Sequence, residues 1–245
     1  MRARSWLTAT VVAGLLAPGV ARAEGLEGRF AVAFQVGTQS EISGDLIKGT
    51  QGELVDRPIS IDSKRYKDVY APDVRLQGLV GYGVGTKEEI VVRGTYYKAN
   101  GTALEVGTLN GHPLAVYFDP YGAYKEAGIE ASFRYYLAST GRLKSYIAPV
   151  AGARFISQIL VTFSVQDAGI SIQNVPFSQK STVPVFGLDL GFTFDLGKHV
   201  FVGLESAIRY NSPPKQFNSL QSIPQFDDSD GRWSAPVVAS VGARF

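Results

Sequence analysis

The sequence predicts an all-β protein, a single eight-stranded antiparallel up-and-down transmembrane β-barrel. Three observations support this prediction. Apolar and polar residues alternate with a period of two along most of the chain, which is typical of strands rather than helices. Short and long connections alternate between these segments, as they do in barrels whose two ends face different compartments. After residue 23, no apolar run approaches the roughly 18 residues that a membrane-spanning helix needs.

The start of the chain has the features of a secretory signal peptide. Two early arginines, an apolar stretch at 6–16 and a small-x-small site at 21–23 follow one another in the order that such peptides require. A membrane anchor is the alternative, but the apolar stretch is shorter than the roughly 20 residues that span a bilayer. We therefore expect a cleaved signal peptide at 1–23 and one barrel domain at 24–245.

Composition narrows the classes of function. The chain has 245 residues, of which 45% are hydrophobic and 19% charged, with no cysteine and two histidines. Disulfide frameworks, thiol nucleophiles and thiolate metal sites are therefore excluded. Removing the signal peptide lowers the sum of Lys and Arg from 24 to 21, against 22 acidic residues. A basic surface for nucleic acid is not indicated, and we expect no nucleic-acid partner, no metal and no cofactor.

Eight segments carry the strand pattern. In the segment 29–36, Phe and Val occupy the even positions, while Arg, Ala and Gln occupy the odd ones. A helix would scatter these residues around its axis, whereas a strand sorts them onto two faces. Each segment is long enough for a tilted transmembrane strand of about 9–11 residues. The predicted strands are 28–38, 72–85, 88–98, 123–137, 144–156, 184–195, 198–210 and 232–245.

The connections between these strands differ sharply in length. Short turns are predicted at 86–87, 138–143 and 196–197, and long connections near 39–71, 99–122, 157–183 and 211–231. A β-sandwich with Greek-key crossings would lack this regular rhythm. Pro149 and Pro236 fall inside predicted strands, where each removes a ladder hydrogen bond. We expect a bulge or a strand end at each of them.

Sorting the strands by parity gives one apolar face and one charged face. The charged face collects Arg75, Arg93, Glu126, Glu130, Arg134, Arg154, Asp189, Glu205, Arg209 and Arg244. A soluble barrel of the lipocalin kind would enclose the apolar face, and a membrane barrel would enclose the charged one. Periodicity alone does not distinguish these two orientations.

Further signals favour the membrane orientation. Tyr96, Tyr135, Tyr210 and Trp233 lie near strand ends, where an interfacial aromatic belt would place them. The charged face contains both signs, so its members can pair inside a barrel too narrow for an open pore. The chain also ends on a strand, and its last residue is Phe245. We therefore predict that the charged face lines the interior.

The same residues carry a resemblance to a known family. The strand and loop rhythm and the ending VGARF at 241–245 resemble the OmpA-like and OmpX-like small outer-membrane β-barrels. The segment YIAPVAGARF at 146–155 resembles the glycine- and aromatic-bearing fifth strand of these domains. The sequence departs from full-length OmpA proteins because no residues follow Phe245 to form their periplasmic peptidoglycan-binding domain. Peptidoglycan anchoring is therefore not expected.

The resemblance covers essentially the whole mature chain and has several implications. It implies a monomer in the Gram-negative outer membrane, surrounded by outer-membrane lipid and lipopolysaccharide. It also implies insertion by the barrel assembly machinery, whose recognition signal the terminal strand resembles through Val241 and Phe245. Lys48, Lys64, Arg65 and Lys67 in the first long connection are candidate contacts with anionic lipopolysaccharide.

Three functions are compared on this basis. We expect a structural or surface-interaction role, in which the charged residues fill the lumen and the long loops form a recognition surface. The runner-up is an OmpW-like transport barrel for small or hydrophobic solutes, which a lateral opening near Pro149 or Pro236 would favour. The third is a lipid A-modifying enzyme; separately, the charged residues could form a catalytic or proton-relay cluster instead of a structural one. That enzyme would need a Ser beside a His, yet His112 has no nearby Ser in sequence and His199 lies in a turn. We expect no catalytic residue.

Overall fold

The computed structural model describes residues 25–54, 56–118, 122–138, 141–165, 169–215 and 229–245. Its strands and helix are, in chain order, β1 (Phe30–Ser43), β2 (Asp45–Ile47), β3 (Thr50–Leu54), β4 (Arg57–Ile61), β5 (Lys64–Arg65), α1 (Tyr66–Val69), β6 (Asp73–Gly83), β7 (Glu88–Ala99), β8 (Ala103–Leu109), β9 (His112–Tyr117), β10 (Tyr124–Ala138), β11 (Leu143–Ile156), β12 (Ile159–Val165), β13 (Ile170–Ser178), β14 (Ser181–Asp195), β15 (Val200–Asn211) and β16 (Arg232–Arg244). The predicted signal peptide at 1–23 lies outside the described residues. Within them, no helix is both long and apolar enough to cross a membrane.

Eight of these strands close into one antiparallel barrel, in the order β1-β16-β15-β14-β11-β10-β7-β6. Each barrel strand pairs with the next barrel strand along the chain, and the first pairs with the last. This arrangement confirms the predicted fold class. The predicted bounds differ from the observed ones by a few residues. The largest difference is in β1, which runs to Ser43 instead of ending at residue 38 because Gln39 and Glu41 continue the inward alternation.

Exposure along the barrel strands shows which face is inside. On β10, Ile129 is 58% exposed and Phe133 is 43% exposed, whereas Glu130 is 0% and Arg134 is 2% exposed. The other barrel strands repeat this alternation, so Val, Ile, Leu and Phe side chains cover the outer surface. A continuous apolar exterior of this kind is unfavourable in water and favourable in a bilayer. The charged face is inside, which excludes the lipocalin-like orientation.

Three of the long connections fold into further sheets, which the sequence analysis did not predict. The strands β13-β12-β9-β8-β4-β3 form a six-stranded sheet in that order, and β2 pairs with β5. We call these two sheets and α1 the cap, and the end of the barrel that carries them the cap end; the opposite end is the turn end. The cap has a hydrophobic core that includes Val106, Val116 and Phe118 and continues onto Tyr97 and Tyr124 of the barrel.

The two strand prolines interrupt pairing on one side only. Between β10 and β11, pairing stops at Ser132–Val150 and resumes at Tyr135–Ile147 in the same register, and Pro149 lies in the gap. Between β15 and β16, a similar gap without a register change contains Pro236. The expectation of a bulge or a strand end at these prolines is therefore wrong. A strand residue directs its N–H toward one neighbour only, so its loss leaves the ladder on the other side intact.

A glycine at the seam between β1 and β16 gives a first prediction. A Cβ atom on Gly37 would lie 1.9 Å from the carbonyl oxygen of Val237, so the two strands approach too closely for any side chain. We expect Gly37→Ala to destabilise barrel closure by at least about 2 kcal/mol, since the overlap is with backbone atoms. The measurement is the fraction of unboiled protein that migrates as a fast, folded band on a denaturing gel.

Gly78→Ala is the matched control, because a Cβ atom there would meet nothing within 4 Å. That variant should migrate like the original protein. If Gly37→Ala also kept the full folded band, the close β1–β16 approach would be wrong.

Candidate functional site

The structure places all ten residues of the predicted charge network inside the barrel. They come from every barrel strand except β1, and each is at most 4% exposed. The ten are Arg75, Arg93, Glu126, Glu130, Arg134, Arg154, Asp189, Glu205, Arg209 and Arg244. Buried charges are tolerated only when they are paired and hydrogen-bonded. The contacts among these side chains therefore decide what the lumen does.

Glu130 lies at the centre of the network and contacts four arginines. Its Oε1 atom is 3.3 Å from Nη2 of Arg75 and accepts a hydrogen bond from Nη2 of Arg154. Its Oε2 atom is 3.6 Å from Nε of Arg93 and 3.4 Å from Nη2 of Arg209. These arginines come from four different strands. One carboxylate thus joins opposite walls of the barrel.

Arg93 is a second hub, close to the first. Its Nη1 atom lies 2.6 Å from Oε1 of Glu205, and its Nη2 atom lies 2.5 Å from Oδ2 of Asp189. Nη2 also donates a hydrogen bond of 3.2 Å to Oγ of Ser132. Arg209 pairs with Asp189 in turn. The contacts of Arg93 tie β7 to β14 and β15 across the lumen.

Arg232 dominates the network at the cap end. Its guanidinium lies 2.8 Å from Oε1 of Glu41 and 2.5 Å from Oε2 of Glu126. The same group donates a 2.7 Å hydrogen bond to the hydroxyl of Tyr124. Its central carbon lies 4.2 Å from the ring centroid of Tyr124 and 5.3 Å from that of Tyr66. A cation held between two rings and two carboxylates closes the mouth of the barrel.

Aromatic rings of the cap lie directly above Arg232. The ring of Tyr70 packs edge-on against Phe118, with 5.8 Å between centroids, and against Tyr124, with 5.7 Å. The Tyr70 hydroxyl donates a 2.9 Å hydrogen bond to the carbonyl of Gly122. Burial raises the pKa of Tyr70 well above its ordinary value, so the ring stays neutral. The mouth is therefore sealed by apolar surface above the charged layer.

Arg134 organises the network near the turn end. Its Nη1 and Nη2 atoms lie 3.4 Å from Oε2 of Glu89 and 3.1 Å from Oε2 of Glu205. Tyr136 donates a 2.8 Å hydrogen bond to Glu89, and Tyr146 donates one of 2.7 Å to Glu205. The ring of Tyr146 also lies 4.5 Å from the Arg134 guanidinium. The Oε2 atoms of both carboxylates thus each accept from Arg134 and from a tyrosine.

Sequence reasoning missed five charged members of the lumen. At the turn end, Asp195 pairs with Arg244 at 2.7 Å and with Lys144 at 2.9 Å. The five missed residues are Glu41, Glu89, Lys144, Asp195 and Arg232. Four of them lie on the inward parity of strands that were correctly predicted, so the parity rule could have found them. Glu41 lies beyond the predicted end of the first strand and carried no such signal.

The two residues of the predicted assembly signal lie on the outer surface. Val241 is 54% exposed and Phe245 is 69% exposed. The backbone N–H of Phe245 donates to the carbonyl of Phe30 at 2.9 Å, and the N–H of Phe30 donates to the carbonyl of Phe245 at 3.1 Å. The last residue is therefore bonded to the first barrel strand, and its ring faces outward.

The central charged side chains of the lumen are shielded from solvent. Acid–base catalysis needs a cavity that brings a substrate to the titratable groups, whereas Arg93, Glu130 and Asp189 have no exposed surface at all. Within the described ranges, no group of three or more His, Asp or Glu side chains is placed to hold a metal ion. The ion pairs fill the lumen and connect its walls.

Comparison with known proteins bears on the fold. No protein-family model matches the sequence, and no curated protein matches it. Among solved structures, the crystal structure of Neisserial surface protein A aligns over 91% of this chain and 100% of its own, at 14% identity and a TM-score of 0.50. The outer-membrane protein OprG from Pseudomonas aeruginosa aligns over 90% and 97%, at 11% identity and a TM-score of 0.45. The outer-membrane protease OmpT from Escherichia coli aligns over 91% and 98%, at 7% identity and a TM-score of 0.40.

At identities this low, the similarity concerns the fold alone. The alignment with Neisserial surface protein A agrees with the closed ring of eight antiparallel strands described above. The chain has the fold of the small eight-stranded outer-membrane β-barrels.

Proposed function

We propose that the protein is an integral outer-membrane barrel with a structural and surface-interaction role, and that it conducts no solute. The observation that carries this proposal is the buried ion-pair network, which spans the lumen from Arg232 at the cap end to Arg244 at the turn end. The proposal includes export by a cleaved signal peptide, insertion by the barrel assembly machinery, and a monomer surrounded by lipid and lipopolysaccharide.

The contacts at mid-height explain why the lumen is closed. Arg93, Glu130 and Asp189 are 0% exposed, so they are shielded from solvent. Passage of an ion would require these pairs to separate inside a narrow barrel, and separating a buried pair leaves uncompensated charges at a cost of roughly 3–5 kcal/mol for each partner lost. Several pairs lie in succession along the axis. The ion pairs therefore hold the walls of the barrel together and block the passage of ions along its axis.

The cap is the surface that we propose for interaction. In outer-membrane barrels the long connections lie outside the cell, so the cap end is extracellular. The cap has its own hydrophobic core, which makes it a folded platform rather than a set of separate loops. Among the described residues, its edge strands, β3 and β13, each have one neighbouring strand, and Ile172 on β13 is 53% exposed. Recognition surfaces of this kind are usually built on loops held by a rigid scaffold.

Conductance in planar lipid bilayers tests the closed lumen. We expect no discrete current steps from the purified protein at any moderate voltage, because the ion pairs block the axis. A general porin added to the same bilayer is the positive control for insertion and detection. Reproducible single-channel steps from the protein itself would contradict the proposal.

One observation favours transport as a second candidate function. The pairing gap around Pro149 leaves part of the β10–β11 wall without ladder hydrogen bonds, which is where an apolar solute could leave a barrel sideways. Uptake of an apolar dye into proteoliposomes separates the two functions. Uptake that depends on the protein and that Pro149→Val abolishes would favour transport, whereas equal uptake with and without protein favours the closed barrel.

We also propose that the protein has no enzymatic activity. The lumen carboxylates are engaged in ion pairs, and Nδ1 of His199 lies 3.1 Å from the carbonyl oxygen of Arg244. Mass analysis of lipid A from cells with and without the protein tests this. A change in acyl chains or phosphates on expression would overturn it.

A further inference from the structure

Two lysines lie directly opposite each other on the outer surface of the barrel. Lys98 of β7 and Lys125 of β10 are partners in the antiparallel ladder, and both side chains are exposed. Like charges in this position destabilise a sheet. Neither lysine has an ion-pair partner anywhere in the described ranges. Among the described residues, the fold therefore holds two cations together without a carboxylate to compensate them.

The positive charge continues around the barrel at the same level. The N–H of Ser157 donates a 3.0 Å hydrogen bond to the carbonyl of Lys125. Since Ile156 pairs with Ser181, the next residues outward, Ser157 and Lys180, are level with each other. The N–H of Gln179 in turn donates to the carbonyl of Lys215 at 3.1 Å. Lys98, Lys125, Lys180 and Lys215 form an arc, which we call the lysine arc.

A cleft lies within the lysine arc. It has a volume of about 460 Å³ and is lined by Lys180, Lys215, the hydroxyl-bearing Ser157, Ser181 and Thr182, and the ring of Phe155. Ammonium groups and hydroxyls are hydrogen-bond donors that suit phosphate oxygens. The ring supplies an apolar wall on the same side. The chemistry of the cleft fits a ligand that carries both phosphate and hydrocarbon.

The position of the arc agrees with such a ligand. Tyr96 precedes Lys98 by two residues on the same face and is 45% exposed, and Phe155 precedes Ser157 in the same way and is 44% exposed. The arc therefore borders the cap end of the apolar outer surface of the barrel, which we call the apolar belt. The rim on the β1 and β6 side differs, since it presents Ile42 and Val74 outward instead of lysine. Among the outward residues of the barrel strands at this level, the lysines therefore lie on one side.

We propose that the lysine arc binds the phosphate groups of an acylated, phosphorylated glycolipid in the outer leaflet, the chemical class that includes lipopolysaccharide. The acyl chains lie along the apolar belt below, and the phosphates compensate the opposed Lys98 and Lys125. This inference rests on the proposed outer-membrane location. It moves the lipid contact away from the first long connection, where Lys48 lies 2.9 Å from Asp230 and Lys64 lies 3.8 Å from Asp62.

Native mass spectrometry of the refolded full chain in neutral detergent tests the site. The ligands are bisphosphorylated lipid A, dephosphorylated lipid A, phosphatidylglycerol and inorganic phosphate. We expect the first to be retained, and Lys98→Gln/Lys125→Gln and Lys180→Gln/Lys215→Gln each to weaken its retention at least tenfold. The control Lys87→Gln/Lys198→Gln removes the same charge at the turn end and should change nothing.

Three outcomes would overturn the site. They are unchanged retention in both arc variants, equal retention of dephosphorylated lipid A, and equal retention of phosphatidylglycerol or inorganic phosphate. A folded band on an unboiled gel, recorded for every variant, shows that the barrel itself is intact. Failure of the site with a folded barrel would leave the proposed function standing, whereas a protein recovered only from the soluble periplasm would remove both.

One further variant separates binding from structure. Lys125→Glu places an opposite charge across from Lys98 and should raise the midpoint of thermal unfolding in lipid-free detergent while it abolishes lipid A retention. A lysine pair with a purely structural role would not move these two readouts in opposite directions. A lower midpoint, or retention equal to that of the original protein, would contradict the proposal.

Discussion

Glu130→Gln is expected to lower the free energy of unfolding by about 3–5 kcal/mol, which is the usual loss when one partner of a buried ion pair is removed. The side chain keeps its size, so the change isolates the charge. Four arginines lose the carboxylate that they share, in a lumen where Glu130 and its partners are at most 1% exposed. Water does not replace the missing anion there.

Urea titration of the protein in lipid vesicles measures this effect. Trp233 lies on the outer face of β16 and is 44% exposed, so its fluorescence reports the loss of the barrel. Glu53→Gln is the control, because Glu53 is an exposed residue of β3 in the cap. We expect a control change of less than about 0.5 kcal/mol, as for most surface substitutions. A Glu130→Gln variant as stable as the control would show that the lumen is hydrated and that the pairs are not closed.

Val116→Asp is expected to unfold the cap and to leave the barrel closed. Val116 is 0% exposed in the cap core, and it pairs with Leu104 of β8 and with Phe163 of β12. An unpaired carboxylate buried among apolar side chains costs at least about 4 kcal/mol, which places it among the largest effects of single substitutions. The barrel has its own ladders and should retain its folded band on an unboiled gel.

Limited proteolysis of the protein in vesicles measures the loss of the cap. The variant should be cut rapidly within residues 100–118 and 157–180, whereas the original protein should resist. Ile172→Asp is the matched control, because Ile172 is a branched apolar residue of the same sheet that is 53% exposed. If both variants resisted equally, the cap core would not hold the connections together. If Val116→Asp also lost the folded band, the cap and barrel would be one cooperative unit.

The barrel could be predicted because the alternation of apolar and polar residues assigns each strand residue to one face. Strand alternation places Ile129 and Phe133 on one face and Glu130 and Arg134 on the other, and a bilayer requires the apolar set outside. The same parity rule, carried to the strand ends, would have found Glu89 and Arg232. Which acid meets which base could not be predicted, because Arg93 and Glu205 are 112 residues apart in sequence.

The cap sheets could not be predicted from local sequence patterns. Its strands are short and derive much of their stability from one another and from the barrel mouth, as the shared core around Phe118 and Tyr124 shows. One signal was present in the sequence, the dipeptide Asn110-Gly111. In the structure these two residues have φ angles of 52° and 79°, the positive values that a tight hairpin turn between β8 and β9 requires. The expectation for the prolines was wrong because the N–H of a strand residue points toward one neighbouring strand only. The sequence alone does not reveal which neighbour that is.

The central claim is that the apolar face meets lipid and the charged face fills the lumen, and labelling of single cysteines on β7 tests it most directly. The chain contains no cysteine, so each introduced thiol is the sole reactive site. Val91 is 0% exposed and its neighbour Val92 is 51% exposed. In vesicles that contain brominated lipid, a fluorophore on Val92→Cys should be strongly quenched, and Val91→Cys should react only after unfolding. A readily labelled Val91→Cys, together with an unquenched label on Val92→Cys, would contradict the orientation of the barrel.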